Sequence, residues 1–425
     1  MKYHLRCALA LGVLLAALIL PADAAGRVNL TPDNGYTADY GIELPFTPSP
    51  RTADYTFEVF RGENTSQPPL VRAQASLSGG GTRTLYLPLA FDLEHAERYT
   101  IRVTAQPDAR RAGLDTEGSR TFPYTTQYCG GRHTEAQGGY LLGDGSAGNP
   151  YVIQNAKQLS HVREHPGSYF RQNVDIDLSS WGNWTPIDVD GINYDGCGHY
   201  VWNLTSTGHS SGNALFGNLT NSTLRRFGVN TFTCTGGEYD AGLIRAASNV
   251  TLDQCLAANG TTRANVCSGG LFATAVGVTV RDSFSSSCNI YAKTANAGGL
   301  SGNFTGSLAR CYAINTVAGE DSLGGISGHG TYASAFQNVY WETGRGAGSA
   351  VQEWWSGDSP SSVIWNYNPP GTFAKPAAEM TVQSTYQGFA FANVTDPYNP
   401  AKPWVWEPNQ SHPLLHIFYR PEELG

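Results

Sequence analysis

The chain has 425 residues, of which 15% are charged, and a formal net charge of −8. That acidic balance offers no basic face to a nucleic acid or an anionic membrane, so neither partner is expected. Forty-nine glycines and only two methionines point to many tight turns and short strands, not to long charged helices.

At the amino end, Lys2 and Arg6 accompany an almost unbroken apolar run from Cys7 to Leu20, and Pro21-Ala-Asp-Ala24 offers a small-residue cleavage site. The pattern predicts a secretory signal over residues 1–24 and a location outside the cytoplasm. The run is too short to span a bilayer, which takes about 20 residues, and no later stretch is long and apolar enough. Without this segment 25 basic and 34 acidic side chains remain, together with Cys129, Cys197, Cys234, Cys255, Cys267, Cys288 and Cys311. In an oxidising compartment up to three disulfides are expected, with one thiol left over. No CxxC pair occurs and the histidines form no recognised ligand spacing with the cysteines, so neither a metal site nor a cofactor is expected.

Residues 26–127 read as a separate all-β sandwich. Tyr55-Thr-Phe-Glu-Val-Phe60, Thr84-Leu-Tyr-Leu-Pro-Leu89 and Tyr99-Thr-Ile-Arg-Val-Thr104 alternate apolar with polar between Gly/Ser/Pro-rich turns. Leu93 followed by Tyr99 resembles the tyrosine corner of fibronectin-III and other immunoglobulin-like modules, which implies a spacer or contact surface.

Residues 138–210 read as a cap. A turn cluster at Gly143-Asp-Gly-Ser-Ala-Gly-Asn-Pro150 precedes Tyr151-Val-Ile153. The spacing of Ala156, Leu159 and Val162 then predicts a short helix over 155–164. Asp175 and Asp177 stand two apart, so on a strand they share a face, as an acid–base pair or as turn residues flanking Ile176. Asp188, Asp190 and Asp195 with Asn193 could hold calcium, but the spacing fits no defined loop. Cys129 and Cys197 are placed near the cap and are expected to pair.

From residue 211 to 345 the chain repeats. Small-residue–aliphatic steps place anchors at Leu215, Leu243, Leu271, Leu300 and Ile326, separated by 28, 28, 29 and 26 residues. A stricter set, Leu224, Leu252, Val280, Leu308 and Phe336, recurs every 28 residues. A fixed period with two β-type segments per repeat is a solenoid signature, with glycines at the corners and anchors stacked about 4.8 Å apart.

These Gly-Leu-x-Gly steps resemble the GLUG repeats of bacterial surface proteins and adhesins. The approach through Asp175-Ile-Asp-Leu178 and Trp184-Thr-Pro-Ile187 and the close through Trp404-Val-Trp406 and His412-Pro-Leu414 are similar too. The resemblance covers about residues 138–418 and implies a right-handed parallel β-helix outside the cell, closed by a C-terminal capping segment over 346–425. It implies no catalytic residues, and the HExxH of metalloproteases that contain such repeats does not occur in this chain.

Aligned at 28 residues, Arg225, Asp253 and Arg281 stack, as do Arg226, Gln254, Asp282 and Arg310. Alternating signs suit a structural ladder. The catalytic alternative is a polysaccharide lyase using Arg281 with Asp282 and Asp253. Cys255 and Cys311 fall two coils apart, about 9.6 Å, and are too far to bond. The Asn-x-Ser/Thr sites at Asn203, Asn218, Asn249, Asn259 and Asn303 are glycosylation sites only in a eukaryotic route. Among the late aromatic residues, Trp404 and Trp406 read as a plug for the solenoid end. Trp354 and Trp355, outside the 28-residue register, are candidates for stacking on sugar rings. The expected protein is a non-catalytic, secreted or envelope-bound adhesin-like β-helix that binds a glycan or a cell-surface protein. The alternative is a secreted lyase or glycoside hydrolase on the same scaffold.

Overall fold

A computed structural model describes residues 29–30, 40–46, 52–76, 83–89, 98–107, 118–125, 129, 132–133, 135–355, 363–407 and 411–419. The expected leader lies outside these residues, and the tyrosine-corner reading at Leu93 and Tyr99 lies outside the described side chains. No described helix is long and apolar enough to cross a membrane. The structure is 56% strand and 7% helix, in two compact units, Met1–Val152 and Ile153–Gly425.

The first unit holds two antiparallel sheets. Tyr40–Phe46 pairs with Asn29–Leu30 and with Arg83–Leu89. Thr52–Arg61 lies between Val71–Ser76 and Arg98–Pro107, and Gly118–Thr125 completes a sheet of four. Alternation along Thr52–Arg61 buries Tyr55, Phe57 and Val59. Glu58 is buried as well, because Arg102 and Arg72 pair with its carboxylate at 2.6 and 3.1 Å.

The second unit is a parallel β-solenoid of about seven turns. The short helix expected before it is Ala156–His161, capped by the Asn155 side chain, which accepts from the Gln158 amide. The 28-residue set stacks as read: Leu224 faces Leu252, Leu252 faces Val280, Val280 faces Leu308 and Leu308 faces Phe336. The column continues backward through Tyr194 to Phe170. Departures from 28 are local. One extra residue at the Val276/Val278 step makes a bulge, and the register tightens between Ser286 and Asn289.

The glycines act differently from expectation. In the steps at Gly269, Gly298 and Gly324 none has a positive φ, so they are not needed to bend the chain. A Cβ there would instead lie 2.0, 2.0 and 1.7 Å from the carbonyl oxygens of Phe272, Ser301 and Ser327. Close backbone approach excludes any side chain. The left-handed corners belong to other residues: Arg226, Gln254, Asp282, Arg310 and Asn338 have φ of 51, 57, 47, 52 and 55°. A second row runs through Asn203, Thr231, Asn259 and Ser287 at 55–57°. A non-glycine residue in this region costs roughly 1–2 kcal/mol, partly offset by ladders such as Asn259 Nδ2 donating to Asn230 Oδ1 at 2.9 Å. The abundance of Asn in the coils has a structural cause.

The C-terminal segment does not plug the solenoid end, as Trp404 and Trp406 had suggested. It lies along the wall. Tyr200, Gly228, Leu256, Phe284, Tyr312 and Tyr340 form a second column in register. Met380, Tyr386, Phe389, Trp404, Leu415 and Ile417 pack against it. Trp404 sits 6.2 and 5.9 Å from the Phe284 and Tyr312 rings, and the Tyr312 hydroxyl donates to the Pro413 carbonyl at 2.7 Å.

Truncating the inner column at Leu252→Ala is expected to lower stability by about 3 kcal/mol in denaturant titration. His412, against the Phe284 and Tyr312 rings, is pushed down to about 4 by burial. Below its ordinary 6.5 the released segment takes up a proton that the docked segment refuses, so docking weakens as pH falls toward 4. Limited proteolysis of the C-terminal segment is therefore expected to be faster at about pH 4.5 than at about pH 7, with the difference reduced in His412→Gln.

Candidate functional site

The two charge rows form as their spacing implied. Asp195, Arg225, Asp253 and Arg281 occupy successive rungs, with Arg225–Asp195 and Arg281–Asp253 each at 3.0 Å. One residue on, Arg310 grips Asp282 with Nε at 2.7 Å and an Nη at 2.6 Å, and Arg226 grips Asp195 in the same way. Burial acts upward on the Asp195 carboxyl, but Arg226 and Arg225 hold it below the usual range.

This arrangement opposes a lyase site at Arg281, Asp282 and Asp253. Hydrogen bonding and charge from Asp253 push Arg281 further up, away from the neutral form a base requires. The Asp282 side chain is only 6% exposed and also accepts from Trp404 Nε1 at 3.0 Å, while Tyr398 donates to Gln254 at 2.9 Å. The C-terminal segment thus covers the second row.

Other acids are engaged similarly. Asp175 accepts from the Tyr200 amide and meets His199 Nδ1 at 2.9 Å. Asp177 accepts from Asn203 Nδ2 and the Ser179 amide, which hold it below the usual carboxylate range. Asp188 takes the Asn218 amide and Arg245, and Asp190 takes Thr220 and Asn221. The acids considered for calcium therefore face donors on neighbouring coils. Burial lifts Asp240 to about 6 against donors from Asn213 and Gly237; such a value suits an acid catalyst, but the side chain is sealed inside a corner.

The expected Cys129–Cys197 disulfide is not formed, and the seven described cysteines form no disulfide. Cys129 Sγ accepts from the Tyr140 amide at 3.1 Å, and Cys197 sits at a left-handed corner whose amide donates to Asp195. Burial raises Cys197, Cys267 and Cys288 to about 11, which makes them poor nucleophiles. Cys255 and Cys311 are separated as expected, with Ser283 between them: its hydroxyl accepts from the Cys255 amide, and its carbonyl accepts from the amide following Cys311.

Exposed chemistry gathers on the last coil. Contrary to expectation, Trp354 and Trp355 belong to the ladder: they face Gly330 and Thr331, at a spacing shortened to 24. Trp354 is buried against Phe336 and Tyr367 and offers no contact surface. Trp355 is half-buried, edge-on to His329 at 5.1 Å, and donates from Nε1 to Glu353 Oε1 at 2.8 Å. Val363–Tyr367 then turns back antiparallel and sets Trp365 opposite Glu353. Trp365 is 54% exposed and Ile364 41%. The result is an open indole platform with a carboxylate and an imidazole at its edge. The exposure of Trp365 depends on a reversal of chain direction that no spacing encodes. Elsewhere, His161 and His165 bring their Nε2 atoms within 3.2 Å, a transition-metal type of pair and not a sugar contact.

No family model matches the chain, and no curated protein matches its sequence.

Replacing Arg310 by Met removes both bonds from a buried carboxylate. The expected loss is roughly 3 kcal/mol in denaturant titration, since an uncompensated charge remains. Adding Asp282→Asn should recover part of it.

Proposed function

We propose that this chain is an exported β-helix surface protein of the GLUG-repeat type that binds glycans through the last coil without cleaving them. The observation that supports the reading is Trp365, open to solvent beside Glu353 and Trp355. A sugar ring stacks its C–H face on an indole while its hydroxyls bond to a neighbouring carboxylate. The leader pattern at residues 1–24 supports export, to the medium or the cell envelope. The two antiparallel sheets of the first unit, three-stranded and four-stranded, support an immunoglobulin-like or fibronectin-III sandwich acting as a spacer. The winding we infer for the solenoid is right-handed, the usual hand for parallel crossovers. The lyase or hydrolase alternative has no observation in its favour among the described residues, because Arg281 is paired with Asp253 and Asp282 with Arg310.

The mature protein is expected to retain glycans on an array and to release no reducing or unsaturated ends from polyuronates. Trp365→Ala should weaken retention about five-fold, the loss of roughly 1 kcal/mol of ring stacking, while Trp354→Phe should leave affinity unchanged. Cleavage of any polyuronate, or unaltered binding by Trp365→Ala, would overturn the reading.

A further inference from the structure

The platform at Trp365 is the end of a column that can be followed down the wall of the solenoid. Trp365 faces Glu353, Glu353 faces His329, His329 faces Asn303 and Asn303 faces Thr274. Ala275, Phe304 and Trp354, next along the same strands, are buried, so strand alternation directs the column outward. A second outward column stands two residues further on. In it Val363 faces Trp355, Trp355 faces Thr331, and Thr305 faces Val276; the Thr305 and Thr331 hydroxyls are 3.3 Å apart. Up to Thr274 the first column advances by 28 residues, and beyond it by 29, 26 and 24. Its polar members thus occupy the coils where strict repetition has ended.

The groups in these columns suit sugar hydroxyls. Glu353 is oriented by Trp355, which donates to Oε1, and its Oε2 is left as an acceptor. Asn303 accepts from Asn296 through Oδ1 and keeps its Nδ2 as a donor. His329 holds an Nε2 that is buried without a hydrogen-bond partner, a condition native structures rarely leave unmet. Burial pushes this imidazole below its ordinary value, so it is neutral near pH 7. Its χ2 is a soft torsion, and a small turn of the ring offers the nitrogen to a hydroxyl lying over Glu353. At pH 7 Glu353 is the one ionised group in the two columns, and no cation stands among them.

We propose that an uncharged, extended chain of β-1,4-linked glucose or N-acetylglucosamine lies along these columns, parallel to the solenoid axis, from Trp365 to Thr274. The inference rests on the glycan-holding role proposed for Trp365 and gives it a direction, a length and a charge preference. Each strand contributes only two outward positions here, so the surface is long down the stack and narrow across it. Successive coils are about 4.8 Å apart, close to the repeat of an extended 1,4-linked pyranose, so each coil meets one sugar. Trp365 stacks on the first ring, Glu353 and His329 bond to the hydroxyls that follow, and Asn303 and Thr305 bond further along. Ala246 and Val276 offer no side-chain polar atom, and the site ends there. A polyuronate would set its carboxylates against Glu353 without a compensating cation.

The test is calorimetric titration of the full mature chain with β-1,4-glucose and β-1,4-N-acetylglucosamine oligomers from dimer to hexamer, and with a polyuronate hexamer. Affinity for one neutral series is expected to rise with each added sugar and to level off at about five, one per coil. The polyuronate should not bind. Asn303→Ala should weaken the pentamer about five-fold, the loss of one hydrogen bond, and leave the dimer unchanged, whereas Trp365→Ala should weaken every length. Asn303 also holds Asn296, so Thr305→Val, which removes only a hydroxyl, is the second variant and should act in the same way. Asn218→Ala, beyond Ala246, should alter nothing. Affinity that stops rising at the dimer, equal losses at both lengths in Thr305→Val, a preference for the polyuronate, or failure of both neutral series to bind would overturn the inference. In each of those cases Trp365-dependent retention of a glycan on the array leaves the reading of the last coil standing. Wild-type affinity of Trp365→Ala at every length overturns both.

Discussion

Parallel strands about 4.8 Å apart impose one condition on the whole solenoid: whatever occupies a position in one coil lies directly under its equivalent in the next. Nothing can be placed once. Leu224, Leu252, Val280 and Leu308 form a dry column because each covers the one before it. The same condition forbids like charges at a repeated outward position, which is why Arg225 is followed by Asp253 and then by Arg281. It also repeats the corners, and the left-handed residues at 226, 254, 282, 310 and 338 turn the chain at the same place in each coil.

Stacking operates on the outer face too, where it creates a difficulty. Leu256, Phe284, Tyr312 and Tyr340 would form a continuous apolar stripe on the wall, larger than a soluble protein leaves open. The C-terminal segment resolves this by lying along the stripe with its own aromatic residues. Its polar contacts then finish the charge rows, with Trp404 donating to Asp282 and Tyr398 to Gln254. Apolar burial and charge satisfaction are therefore coupled in one element, and loss of either weakens both.

The inner column and the charge rows were legible because period and register are the same quantity in a parallel stack; counting to 28 was enough. The wall stripe was not legible, since Phe284 and Tyr312 recur at the same period as inner residues and only the side on which they emerge separates them. The role of Trp404 followed that uncertainty. Trp354 and Trp355 looked out of register because the last coil is shortened to 24 residues, and a shortened repeat resembles the end of repetition.

The same reasoning bears on where function can reside. Within the regular coils Asp195, Asp253 and Asp282 each pair with an arginine one rung away, and Cys234, Cys255, Cys267, Cys288 and Cys311 are buried. Those partners are required by the stack and cannot be released to a substrate without opening it. Only where repetition fails can side chains be unconstrained by a rung above or below. At the far end, the antiparallel return of Val363–Tyr367 leaves Trp365 and Ile364 facing water. A solenoid that satisfies itself internally leaves its unpaired surface side chains to the irregular coil.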